Sequence, residues 1–218
     1  MKKIVQKIAL SMALICLILS QSLNASGLII SNGTEDQLYS DGPGYASEIV
    51  VAGDSYAQHF YEDEKNRDIK LHGYFNEGFT LDMNRETLKE AFNTFYRIIF
   101  LSISVNDRHK NTHPEEFEKE LRELFDIAKR TNKIVLVHSY MYYGLADTPM
   151  FSYLTYEYDS MIRKLIMEYS NVYYVDMSDC TGAEYRLPDG IHFNKKFNDE
   201  MYDRIVFLLD WIRNKSYE

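Results

Sequence analysis

Two kinds of hydrophobic run alternate along the chain. Residues 49–52, 97–102 and 133–138 are short and almost continuously apolar. They are too brief for helices and read as strands covered on both faces. Residues 68–74 and 172–176 are weaker members of the same class. Between them apolar positions recur every three or four residues. Leu88, Ala91, Phe92 and Phe95 predict a helix over 84–95, and Phe117, Leu121, Leu124, Phe125 and Ala128 predict another. Thr112 is placed to cap that second helix, with Pro114 in its first turn and Glu115 in the capping-box position. Further helices are expected over 56–64, 151–169 and 194–213. Strands that alternate with helices predict an α/β fold, a three-layer sandwich around a five-stranded, mainly parallel sheet. No internal repeat or low-complexity linker interrupts the pattern.

The N-terminus departs from it. Lys2, Lys3 and Lys7 precede a 12-residue apolar run over 8–19, and small polar residues lead to Ala25. A run of that length is too short to cross a bilayer core of about 30 Å, so residues 1–25 read as a secretory signal peptide. Residues 26–46, with Asn32-Gly33 and Asp41-Gly42-Pro43-Gly44, read as an irregular leader, and 47–218 as one domain. Removing 1–25 takes away three lysines and no acid, and the net charge of −9 becomes −12. Such a surface repels phosphate backbones and argues against nucleic acid as a partner. With 1–25 removed only Cys180 remains, which rules out an intrachain disulfide and fits a small buried side chain in an exported bacterial protein.

In a parallel sheet, chemistry collects past the C-terminal ends of the strands. The first strand ends in Gly53-Asp54-Ser55, the second is followed by Asn76-Glu77-Gly78-Phe79-Thr80, and the third by Ser104-Val105-Asn106-Asp107. After the fifth comes Asp189-Gly190-Ile191-His192. These loops supply a hydroxyl, a backbone donor at a glycine, a side-chain amide and a carboxylate–imidazole pair. A serine hydroxyl needs a base, and His192 can take its proton. Asp189, three residues earlier, can hold the imidazole tautomer. Each piece has an ordinary structural reading as a cap or turn residue; their order at successive strand ends is what points to acyl transfer.

Those four blocks resemble the SGNH/GDSL hydrolase family, over about residues 49–211. The resemblance implies an SGNH hydrolase-like, flavodoxin-like sandwich. It assigns Ser55 as nucleophile, His192 as base and Asp189 as its orienting acid. An oxyanion hole would comprise the Ser55 and Gly78 N–H groups and the Asn106 side chain. One position departs from the family pattern: Ser104 stands where the third block usually has glycine. Gly73 competes with Gly78 for the second block. No Gly-x-Ser-x-Gly surrounds Ser55, which argues against an α/β-hydrolase elbow.

The tyrosine-rich stretch 139–149 follows the fourth strand, and its Tyr140 and Tyr142, with Asp54, are candidate substrate contacts. His138 fits a core histidine. His109 and His113 stand four apart, but Pro114 and the lack of a third ligand argue against metal, and no motif calls for a metal or organic cofactor. The resulting expectation is a secreted serine esterase that removes small acyl groups, acetyl above all, from carbohydrate. Acyl transfer on the same fold and non-catalytic glycan binding are the alternatives. The partner would be a small ester, with no membrane span after signal cleavage.

Overall fold

The computed structural model describes residues 28–29, 48–139, 149–180 and 182–215. Their elements run β1 (Leu28–Ile29), β2 (Glu48–Gly53), α1 (Ser55–Glu64), β3 (Lys70–Phe75), α2 (Arg85–Asn93), β4 (Ile98–Ile103) and α3 (Val105–His109). They continue with α4 (Pro114–Arg130), β5 (Ile134–Ser139), α5 (Pro149–Ile166), β6 (Val172–Val175), a 3-10 turn (Ala183–Tyr185) and α6 (Lys195–Lys215).

The sheet has the order β1-β6-β5-β4-β2-β3. Strands β2 to β6 are all parallel. Side chains alternate across it, as the period of a strand requires. Ile49, Val51, Ile98, Phe100, Ile134 and Leu136 point to one face, where Tyr56 and Phe60 of α1 and Phe197, Met201 and Ile205 of α6 cover them. Val50, Ala52, Ile99, Leu101, Val135 and Val137 point to the other, under Leu88 and Phe92 of α2, Phe117 and Leu121 of α4 and Ile162 of α5. Burial on both faces is why these strands read as unbroken apolar runs. Each such side chain contributes roughly 1.5–3 kcal/mol relative to exposure.

Strand β2 connects to β3 on one side of itself, and β4 lies on the other and leads on to β5. The crevice between the C-terminal ends of β2 and β4 is therefore the switch point of the sheet, the position where open α/β sheets bind ligands.

Three expectations are corrected. The leader contains a strand: Leu28 pairs antiparallel with Val175 and Ile29 with Tyr174, adding a sixth, edge strand too short to leave an alternating pattern. The stretch after β4 is a short helix, α3. Thr112 does not cap α4, whose N-cap is His113 with no side-chain bond. The Thr112 N–H donates instead to the Asp107 carbonyl at 2.9 Å, and its side chain bonds the Asp107 carboxyl. Among the described residues no helix is long and apolar enough to cross a membrane.

Candidate active site

The turn out of β2 sets the nucleophile. Gly53 has φ 142°, and a Cβ there would lie 1.8 Å from the Ser102 carbonyl oxygen, so no larger residue fits. This close approach lets the Asp54 N–H donate to that carbonyl at 3.2 Å. Asp54 then caps α1, its Oδ1 accepting the Tyr56 N–H at 3.0 Å. Asp54, a candidate substrate contact, is 3 % exposed with one oxygen engaged in the cap, and burial pushes its carboxyl up to about 8. Ser55 follows as the first residue of α1, so its N–H belongs to the first turn, which has no partner within the helix.

The base arrives from the loop before α6. Arg186 and Phe193 form an antiparallel bridge that closes this loop, and the Leu187 N–H donates to the His192 carbonyl at 2.9 Å. Asp189 Oδ1 accepts the Ile191 and His192 N–H groups, both at 2.9 Å. That leaves Oδ2 for His192 Nδ1, 2.7 Å away. Partial burial opposes the charge on Asp189, but the imidazole bond and the two backbone donors carry its pKa down to about 2. An ionised Asp189 fixes the proton on Nδ1 and leaves the Nε2 lone pair facing Ser55 Oγ at 3.1 Å. Ser55, His192 and Asp189 are thus brought together in hydrogen-bonded sequence.

The other two expected oxyanion donors lie past the ends of the neighbouring strands β3 and β4. Gly78 stands past the end of β3 with φ 73°, in the left-handed region that favours glycine, and its carbonyl accepts Lys110 Nζ at 2.9 Å. Gly73 instead pairs with Val51 inside the sheet, which takes it out of the competition. Asn106 lies on α3, and its Nδ2 is buried and bonds nothing among the described residues. A buried amide left without an acceptor is costly unless something supplies one. Ser104, the departure from the family pattern, adopts φ 95°, the conformation a glycine would take without strain.

Several residues that hold this arrangement were missed in the sequence. Asn84 Nδ2 donates to the Gly53 carbonyl, and Asn84 Oδ1 accepts Asn76 Nδ2 at 2.7 Å, tying the Gly78 loop to the end of β2. Asp107 accepts the Leu81 N–H on both oxygens, at 3.2 and 3.0 Å, and ties the same loop to α3. The Tyr56 hydroxyl donates to the Ile191 carbonyl at 2.6 Å, and the His59 ring stacks on His192. Asn76 and Asp107 stand in the sequence blocks without a role assigned to them, and His59 lies four residues after Ser55 on a predicted helix and so on the same face.

Tyr140 and Tyr142 lie outside the described residues. His138 is a buried histidine, 1 % exposed, whose Nδ1 meets Ser102 Oγ at 3.2 Å. A cavity of about 610 Å³ opens between Thr80, Lys110 and Glu116, but neither Ser55 nor His192 lines it, so it is not where these groups react. Among the described residues no three His, Cys, Asp or Glu side chains converge as metal ligands.

No model of a known protein family matches the sequence, and no curated protein is a recognisable relative. Solved structures are similar in fold. A GDSL-like lipase from Bacteroides thetaiotaomicron superposes with a TM-score of 0.61 at 14% identity, over 79% of this chain and 92% of its own. The psychrotrophic esterase EstA from a Pseudoalteromonas species, in a structure inhibited by monoethylphosphonate, gives 0.57 at 18%, over 75% and 99%. A member of the lipolytic G-D-S-L family from Veillonella parvula gives 0.56 at 18%, over 73% and 96%. At such identities the likeness is one of architecture, and the architecture of this chain is that of the SGNH/GDSL hydrolases.

Proposed function

We propose that the protein is a secreted serine esterase acting on small acyl esters. The observation that carries this reading is the hydrogen-bonded line from Ser55 Oγ through His192 to Asp189, with contacts of 3.1 and 2.7 Å. Ser55 Oγ attacks the ester carbonyl while its proton passes to His192 Nε2. The carbonyl oxygen takes negative charge next to the Ser55 and Gly78 N–H groups and Asn106 Nδ2. The C–O bond to the alcohol breaks, and the alcohol leaves with the proton from Nε2. Water then attacks the acyl-serine, giving its proton to the same nitrogen, and the acid departs as Oγ recovers its hydrogen. Asp189 stays ionised throughout and stabilises the imidazolium.

Further features bear on substrate size and location. Phe79 and Ile191, each 37 % exposed, adjoin Gly78 and His192 and offer a modest apolar surface suited to a short acyl chain. An acetylated carbohydrate as substrate rests on the tyrosine-rich stretch that holds Tyr140 and Tyr142, and export rests on residues 1–25. The test is release of p-nitrophenol from acetyl and longer acyl esters by residues 26–218, with and without Ser55→Ala. The variant is expected to lose at least about 10³-fold in kcat/KM, with acetate the preferred wild-type substrate. A folded wild type no faster than Ser55→Ala would overturn the esterase reading.

A further inference from the structure

The imidazole of His59 lies almost parallel to that of His192, with ring centroids 4.6 Å apart and planes 14° from one another. His59 belongs to α1, one turn beyond Ser55, so nucleophile and stacking ring project from the same helix face. The base is also held at its ring edges, and the Tyr56 ring approaches it at a tilt, centroids 5.6 Å apart and planes 43° from one another. Asp189 takes Nδ1 and Ser55 faces Nε2, and both bonds tolerate rotation of the imidazole about the line joining them. The loop backbone is tethered separately, by the Tyr56 hydroxyl on the Ile191 carbonyl. Of the two aromatic neighbours, His59 is the one stacked flat on the imidazole, and so the one that opposes its tilting.

We propose that His59 is a positioning residue for the esterase reaction: stacked on His192, it fixes the plane of the base so that Nε2 stays aimed at Ser55 Oγ. The inference rests on the esterase reading for its kinetic consequence and on the stacking geometry for its structural one. His59 does this while neutral. Burial and the nearby His192 both lower its affinity for a proton, while Asp63 on its own helix, Glu77 in the loop after β3 and Asp189 beside His192 act the other way. A neutral ring accepts the imidazolium that forms when Ser55 gives up its proton, whereas a second cation 4.6 Å away would oppose it. Sequence spacing and geometry together favour this role over contact with substrate, because the ring face is already occupied by His192.

The experiment compares wild type with His59→Ala and His59→Phe, using Ser55→Ala and His192→Gln as controls. For His59→Ala, kcat on p-nitrophenyl acetate is expected to fall by about 10- to 100-fold with KM within about twofold. His59→Phe, which keeps a flat ring, is expected to recover most of that loss, and thermal midpoints should be alike because His59 is only half-buried. Wild-type kcat in His59→Ala, or no recovery in His59→Phe, overturns the proposal. A readout independent of esters is the downfield proton resonance of His192 Nδ1–H, identified by its loss in His192→Gln. It is expected to be sharp in wild type and His59→Phe and broadened in His59→Ala. If wild type and Ser55→Ala are equally inactive, the esterase reading fails, and this resonance still decides: an unchanged signal in His59→Ala overturns the positioning role.

Discussion

At Ser104 the backbone adopts φ 95° and ψ −14° in a fully buried residue, a region that costs a side-chain-bearing residue roughly 1–2 kcal/mol. The conformation is imposed from both sides. Strand β4 ends at Ile103 and α3 begins at Val105, so Ser104 alone makes the turn between them. A glycine would meet the same demand without a Cβ, at the cost of a more flexible unfolded chain. Ser104→Gly is therefore expected to raise stability by about 1 kcal/mol, measured by urea denaturation, while leaving ester hydrolysis within about twofold. A loss of stability would mean that the serine hydroxyl does more for the fold than its backbone strain costs.

Among the connecting elements, the segment between β3 and α2 carries Gly78, the proposed oxyanion donor, and has little secondary structure of its own. Its shape comes from side chains that cross to other elements. Asn84, 2 % exposed, donates to the Gly53 carbonyl and accepts from Asn76, and Asn76 also reaches Thr87 Oγ1 at 2.8 Å. Replacing Asn84 by alanine leaves Asn76 with one acceptor fewer, and the Asn76 N–H on the Gly53 carbonyl, at 3.2 Å, is left to hold the loop to the end of β2. The expected cost is about 1–3 kcal/mol in urea denaturation, together with a drop in kcat that exceeds any change in KM. Unchanged kcat with lowered stability would separate the loop's fold from the oxyanion site. This element also marks where the sequence stopped being readable. Ser55, Asp189 and His192 stand out because their side-chain chemistry and their positions at strand ends coincide. Asn84 read only as a helix start, because the carbonyl it satisfies exists only once Gly53 has turned against Ser102. Thr112 sits where a cap belongs by spacing, but Asp107, five residues earlier on α3, takes its side chain instead.

Across the whole molecule, run length and periodicity were enough for the layers, since a strand covered on both faces must be apolar throughout. They could not give β1, whose two residues carry no period, and they do not say that β2 separates β3 from β4. That arrangement puts β4 and β5 side by side at the centre of the sheet and buries His138 between the layers, with Phe197 edge-on at 5.8 Å. Burial lowers its pKa to about 4, with Asp176 and Asp159 opposing and Arg108 assisting, and its Nε2 meets no acceptor among the described residues. An unfolded histidine titrates near 6.5. Because the folded value is the lower one, the contribution of His138 is complete above about pH 6.5 and is lost as pH falls toward 4, by up to about 3 kcal/mol. Asp54 works in the opposite direction: its raised carboxyl favours the fold at low pH and loses that contribution as pH rises toward about 8. The decisive measurement is therefore a difference. Urea midpoints of wild type and His138→Asn, taken at pH 7.5 and pH 5, carry the same Asp54 contribution and, His138 aside, the same change in charge. The wild type should lose more stability between the two pH values than the variant, whatever their absolute stabilities. Parallel losses would mean that His138 binds its proton in the folded protein as readily as in the unfolded one.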